Sequence, residues 1–239
     1  NSPLLVVEPP EIDPNTNKPY KNLYVAGIDA IDMGRKDSAS DSDVSDFCVV
    51  IKRRVFGMKD AKYVAMYKYR PEDIRQAYDV TLKLLTWYNC KAMLEYTKIS
   101  IQTYFKDLNK TNLFMSRPAI ALTGNAKNNR NRKQLIGLPA TEAVIRHGLE
   151  LIANFIADYW HTIDYEEMLD QMLNYTYDNK RKFDIIAAMI QCEIGDEDMS
   201  GLNPGTKIVQ SDWKDFGWYT DDRGYKQYGI IPSKKWEAI

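Results

Sequence analysis

Residues 23–29 read Leu-Tyr-Val-Ala-Gly-Ile-Asp (LYVAGID), an apolar, partly β-branched run that stops on an acid and passes into a turn. Its length and its flanks read as a buried strand ending at Asp29. Gly27 inside it marks a bend or a place where another stretch of backbone comes close. Two more strands follow at residues 46–53 (DFCVVIKR) and 62–69 (KYVAMYKY). The stretch between the first two, residues 34–45 (GRKDSASDSDVS), is too polar to pack and reads as an exposed loop. Joined in this way, the three strands form an antiparallel meander.

Outward from the meander, Arg70-Pro71-Glu72-Asp73 opens a helix whose apolar residues Ile74, Ala77, Tyr78, Leu82, Leu85 and Tyr88 recur at helical spacing. An amphipathic crossover of this kind delivers the chain to a strand parallel to a neighbour, here residues 91–95 (KAMLE). A helix over residues 99–108, a short strand over 119–122 and a basic, amide-rich loop over 125–134 (NAKNNRNRKQ) come next. Three helices follow over residues 139–158, 164–174 and 183–194, the first capped by Thr141 and Glu142. The fold class read from this order is α/β: a mixed sheet of three antiparallel strands, then parallel strands, flanked by helices. Three segments are expected: 1–19, a Pro-rich linker or N-terminal extension; 20–198, the main domain; and 199–239, an aromatic-rich tail without clear periodicity.

With 239 residues, 44% of them hydrophobic, the chain can bury a sizeable core. No apolar run approaches the roughly 20 residues of a membrane span, and no charged-then-apolar leader opens the chain. The start at Asn1 instead of Met reads as a piece of something longer. Three cysteines without CxxC spacing and two histidines argue against disulfide scaffolds and zinc fingers. Cys48, Cys90 and Cys192 each lie in an apolar run and read as buried and reduced, and His147 and His161 read as satisfied residues instead of ligands. No phosphate-binding loop occurs, since GLNPGTK has the wrong spacing. The net charge of −1 hides an uneven distribution: residues 51–135 hold 18 Lys and Arg against 6 Asp and Glu, while 1–50 sum to −5 and 136–239 to −8. A basic middle between acidic flanks can set cations for phosphates beside carboxylates for metal ions.

Three acids occupy the ends of elements. Asp29 ends the first strand, Glu95 ends the strand after the crossover, and Asp184 opens the last strong helix (FDIIAAMIQ). Carboxyl ends of parallel strands are where ligand sites of α/β sheets lie. Each acid also has a plainer reading: Asp29 as a turn former, Glu95 as a solvated edge residue, Asp184 as a helix cap.

Taken in order, YVAGIDAIDMG, AMLEYTK and RKFDIIAAMIQ resemble the acidic triad of a ribonuclease H-like nuclease. They most resemble the nuclease domain of phage terminase large subunits, over about residues 20–198. The resemblance implies a ribonuclease H-like fold and a metal-dependent endonuclease, a hydrolase that cleaves concatemeric double-stranded DNA during genome packaging. It also implies Asp29, Glu95 and Asp184 as catalytic ligands of two Mg²⁺ or Mn²⁺ ions, with Asp32 as an accessory ligand and Asp178 as the rival for the third place. Close carboxylates repel and raise one another's pKa until divalent cations neutralise them, and oxygen ligands suit Mg²⁺ and Mn²⁺. Lys127, Arg130, Arg132 and Lys133 are the DNA-binding candidates, with a solvated loop as their plain alternative. Lys52, Arg53 and Arg54 form a second candidate patch, Lys98 reads as a phosphate contact or an acid's partner, and the loop acids Asp41 and Asp43 read as solvated. By the resemblance the partners are the terminase ATPase domain, which this chain lacks, the small terminase subunit and the portal protein, with no membrane. The place of action is the cytoplasm of an infected bacterial host. An integrase, transposase or junction resolvase of the same fold is the alternative enzyme, and a non-catalytic DNA- or protein-binding module is the alternative of another class. Tail aromatics such as Trp213 and Trp218 read as core, or as surfaces for bases or for a packaging partner.

Overall fold

The computed structural model describes residues 2–35, 45–122, 135–176, 183–204, 216–220 and 224–230. Lys127, Arg130, Arg132, Lys133, Asp41, Asp43, Asp178 and Trp213 lie outside the described residues. The strands are β1 (Leu4–Val6), β2 (Ile12–Asp13), β3 (Lys18–Pro19), β4 (Tyr24–Asp29), β5 (Phe47–Arg53), β6 (Lys62–Tyr69) and β7 (Lys91–Leu94). Five of them form one sheet in the order β1-β6-β5-β4-β7. β4, β5 and β6 are antiparallel neighbours, as the meander requires, and β7 lies parallel to β4 with Ile28 opposite Leu94.

The parallel pairing follows from the helix between. α1 (Ile74–Trp87) starts at Asp73, whose carboxylate accepts the Arg75 N–H at 2.9 Å, and carries the chain back along the sheet. α1 and α2 (Ile99–Asp107) cover one face, where Tyr78, Leu85, Ile101 and Phe105 pack on Tyr24, Ala26 and Ile28. On the other face lies α5 (Asp184–Asp198), with α3 (Glu142–Tyr159) and α4 (Glu166–Asn174) around it. α5 is apolar nearly all round, with buried residues on every side from Ile185 to Ile194, as befits a helix enclosed between a sheet and other helices.

Gly27 decides how closely α5 approaches. A Cβ there would stand 2.0 Å from the Ala188 carbonyl oxygen and 2.4 Å from the Cys192 nitrogen. The backbones of helix and strand are therefore in direct contact, which is the close approach that a glycine within a strand signals. Gly148 does the same between α3 and α5, where a Cβ would meet Ile190 Cγ2 at 2.4 Å.

Several elements depart from the sequence reading. The Pro-rich opening is tied to the body: β1 extends the sheet along β6, Tyr24 Oη accepts the Glu11 N–H at 2.8 Å, and Tyr88 Oη donates to the Glu8 carbonyl at 2.6 Å. Residues 119–122 are no strand. Ala119–Ala121 is a 3₁₀ turn held by local bonds to the carbonyls of Pro118 and Ala119, and the pairing with β7 comes earlier, at Phe114 opposite Ala92. Pro118 has no N–H to offer a ladder, which favours the local turn.

Lys52, Arg53 and Arg54 are not a surface patch, because all three are buried. Lys52 bonds Glu193 at 2.6 Å and Asp196 at 2.9 Å, Arg54 bonds Asp196 at 2.6 Å and the Met199 and Leu202 carbonyls, and Arg53 pairs with Glu8. Tyr63 Oη donates to the remaining Glu193 oxygen at 2.6 Å. Burial works to lower the Lys52 pKa, but Glu193 and Asp196 hold it above the usual lysine value.

Because Arg54 gathers those carbonyls, residues 199–204 belong with the main unit, which runs to residue 205. A second unit, residues 206–239, contains the antiparallel pair β8 (Phe216–Thr220) and β9 (Lys226–Ile230). The three cysteines are buried and free, His147 meets Glu197 at 2.7 Å, and His161 meets Asp60 at 3.1 Å. Among the described residues no helix is long and apolar enough to cross a membrane.

Two outcomes follow from this packing. Gly27→Ala must push α5 off the sheet and is expected to cost about 3 kcal/mol, the upper range for overpacking, in urea unfolding. Lys52→Met strips the buried Glu193 of its cation and is expected to cost about 3–5 kcal/mol; a loss under 0.5 kcal/mol would show that Lys52 is no part of the core.

Candidate functional site

Strand periodicity sends Val25, Gly27 and Asp29 to the same face of β4, the face that Gly27 presents to α5. Contacts fix the direction of the helix: Cys192 Sγ lies 3.6 Å from the Val25 carbonyl oxygen, and Ala188 stands over Gly27. Four helical residues advance about 6 Å and two strand residues about 6.6 Å, so Cys192, Ala188 and Asp184 keep step with Val25, Gly27 and Asp29. The amino end of α5 thus arrives at the carboxyl end of β4.

β7 brings the third acid. Leu94 is the register partner of Ile28, so Glu95 follows beside Asp29, and Met93 opposite Gly27 shows that it shares the α5 face. Glu95 lies just past the strand, where its backbone bridges Leu138. Gly137, at φ +74°, makes that bridge possible, since a Cβ there would stand 2.5 Å from the Leu94 carbonyl oxygen.

The electrostatics record the convergence. Burial first, and then the charges of Asp184 and Glu95, push the Asp29 carboxyl up from 3.8 to about 8 against the opposing charge of Lys98. Asp184 is also raised, first by burial, while the Asp46 N–H that bonds its Oδ2 at 3.1 Å works the other way. The plain reading of Asp184 as a helix cap does not hold: it is the first helical residue and Phe183 stands at the cap without a side-chain bond. The free Ile185 N–H goes to Gln171 Oε1 on α4 at 3.0 Å instead.

Glu95, Asp184 and the nearby Asp32 are each turned to a donor of their own. Thr97 Oγ1 bonds Glu95, Asp46 N–H bonds Asp184, and Asp32 Oδ1 accepts the Ser100 N–H at 3.3 Å in the first turn of α2. Among the described residues no three His, Cys, Asp or Glu side chains close on one point as a ligand set. Like charges brought together without a cation turn to the nearest N–H and O–H groups, as these do. The donors nonetheless fit a hard divalent ion: they are carboxylate oxygens, and the pKa of the most deeply set of them, Asp29, is raised first by burial and then by the neighbouring carboxylates.

Lys68 and Asp46 are participants that sequence reading missed. Lys68 is the register partner of Cys48, itself opposite Asp29; it pairs with Glu167 and stands 3.6 Å from Asp46. Only the strand register shows this, since a lysine near the end of a strand carries no signal of its own.

Asp29 gives a pH signature. In the metal-free protein it keeps its proton up to about pH 8, whereas the unfolded chain loses it near 3.8. Between those values the native state binds the extra proton, so this group lowers stability as pH rises and its effect levels off above pH 8. Asp29→Asn is therefore expected to be more stable than wild type at pH 9 in chelator, by a margin that shrinks toward pH 5. A margin equal at both pH values in urea unfolding would contradict the assignment.

Compared with known proteins, the chain matches no family model and has no significant match among curated sequences.

Proposed function

We propose that this chain is a ribonuclease H-like, metal-dependent DNA endonuclease, the nuclease domain of a phage terminase large subunit, cutting concatemeric double-stranded DNA during packaging. The observation that carries the reading is the burial of Asp29 at the end of β4, where the charges of Asp184 and Glu95 act on it and where the amino end of α5 and the end of β7 arrive. A group of like charges costs stability and is explained by a cation that the site is built to take. The sheet supports the same reading, with three antiparallel strands and a parallel fourth beside the first.

Held by Asp29, Glu95 and Asp184, two Mg²⁺ or Mn²⁺ ions would supply Lewis-acid stabilisation of the charge that develops on the phosphate and its leaving oxygen. The chain's own groups prepare the place. Asp46 N–H orients the Asp184 carboxylate, Thr97 orients Glu95, and Gln171 fixes the first turn of α5. Lys68, paired with Glu167 and near Asp46, lends positive charge beside Asp184.

The basic stretch joins the body close by. Arg117 N–H bonds the Leu135 carbonyl at 2.7 Å, Ser116 bridges Ile136, and Leu138 bridges Glu95, so the stretches flanking the segment that carries Lys127, Arg130, Arg132 and Lys133 pair with each other, and the later one reaches the Glu95 backbone. This supports those residues as sequence-independent contacts to the DNA backbone. On the same reading the ATPase domain, the small terminase subunit and the portal protein are its partners, in the cytoplasm of an infected bacterium.

Supercoiled plasmid with Mg²⁺ or Mn²⁺ tests the reading. Cleavage is expected, stopped by chelator, and reduced by about 100-fold or more in Asp29→Ala, Glu95→Ala and Asp184→Ala, since even outer groups of metal sites cost 10–100-fold. A metal at 100 times its dissociation constant should add about 2.7 kcal/mol of stability. Cleavage unchanged in these variants defeats the proposal. Preference for four-way junctions over linear duplex moves it to a resolvase, and the absence of both cleavage and metal stabilisation leaves a binding module.

A further inference from the structure

The turn between β7 and α2 carries a cation, Lys98, that makes no ion pair among the described residues. Lys98 follows Glu95 by three residues, its N–H bonds the Glu95 carbonyl at 3.3 Å, and its side chain is half-buried. It stands at the cap position of α2 and caps nothing there. The first turn of that helix takes its acceptor from Asp32 instead, through the Ser100 N–H.

A lysine in this position works against the helix. Cations are favoured at the carboxyl end of a helix and acids at the amino end, each by about 0.3–1 kcal/mol. The stability of α2 therefore gives no reason for a lysine here. Nor does ion pairing: Lys98 takes part in no ion pair among the described residues, whereas Lys68, the other lysine beside the acids, is held by Glu167 and Asp46. Glu95, whose carbonyl the Lys98 N–H bonds, follows Leu94 beside the end of β4, so Lys98 belongs to the same turn as the acids, and its charge works to lower the Asp29 pKa. Beside it, Tyr96 is exposed and holds the Arg117 guanidinium 4.8 Å from its ring, which sets a second cation by this turn.

We propose that Lys98 contacts the phosphate that is cut, its ammonium donating to a non-bridging oxygen and seating that phosphate against Asp29, Glu95 and Asp184. This rests on the nuclease reading above and adds to it a substrate-contacting residue. An ammonium suits the task, since its three rotatable donors can follow an oxygen whose charge grows during the reaction without imposing a planar geometry.

The test uses the full chain with Lys98→Gln and Lys98→Arg. Cleavage of linear duplex in Mn²⁺ gives kcat and KM, anisotropy in chelator gives the salt dependence of DNA binding, and thermal unfolding controls for the fold. Lys98→Gln is expected to lower kcat by about 100-fold, the usual cost of one lost donor to a developing charge, with little change in KM or Tm. Its plot of log K against log salt should flatten by about 0.9, the value of one phosphate contact, and Lys98→Arg should restore the slope. A Lys98→Gln protein that cleaves like wild type, or one that loses rate together with Tm at an unchanged slope, overturns the inference and leaves the nuclease reading standing. If wild type itself fails to cleave with either metal, the nuclease reading falls and this inference with it.

Discussion

Backbone contact between α5 and β4 at Gly27 is the constraint on which the rest of the molecule depends. With no side chain between them, the helix lies on the strand closely enough for Ala188 and Cys192 to touch its backbone. The approach fixes the helix along its length and in its rotation about its own axis. Both are needed to bring Asp184 to Asp29, since a helix standing off on larger side chains would be free to roll by part of a turn. The same contact joins the two sides of the core, because α3 in turn packs on α5 through Gly148.

α5 connects two charged sites of opposite character. Near its carboxyl end, Glu193 and Asp196 are bonded by Lys52, Arg54 and Tyr63, and the buried charges are paired. At its amino end, Asp184 arrives at the end of β4, where burial and then the charges of Asp184 and Glu95 raise the Asp29 carboxyl, and burial raises Asp184 as well. A fold that satisfies one buried cluster completely and leaves the other short of positive charge, on one helix, separates structure from candidate function within a single element. Paired buried ions hold the chain together only while every partner is present.

Local pattern made much of this legible. Period-two and period-3.6 spacing mark the strands and helices, and the ends of elements mark Asp29, Glu95 and Asp184 as candidates. Where the reading failed, the cause was tertiary. Lys52, Arg53 and Arg54 look like a basic patch because the partners of Lys52 and Arg54, Glu193 and Asp196, lie some 140 residues away and that of Arg53, Glu8, lies 45 residues back. Leu4–Val6 looks like part of a linker because an edge strand needs only a neighbour with free hydrogen-bonding groups, and short segments carry little signal of it. Lys68 and Asp46 were passed over because register alone sets them beside the acids.

By itself, the sequence determined the three strands of the meander, the crossover helix and the strand after it, and the helices of the main domain, that the fourth main strand returns parallel to the first, and that acids stand at three element ends, because these depend on spacing along the chain. Tertiary structure alone decided which charges meet. Burial and neighbouring charge, which act over a few ångströms and not along the chain, make Asp29 a carboxyl that keeps its proton to about pH 8 and make Lys52 a core residue.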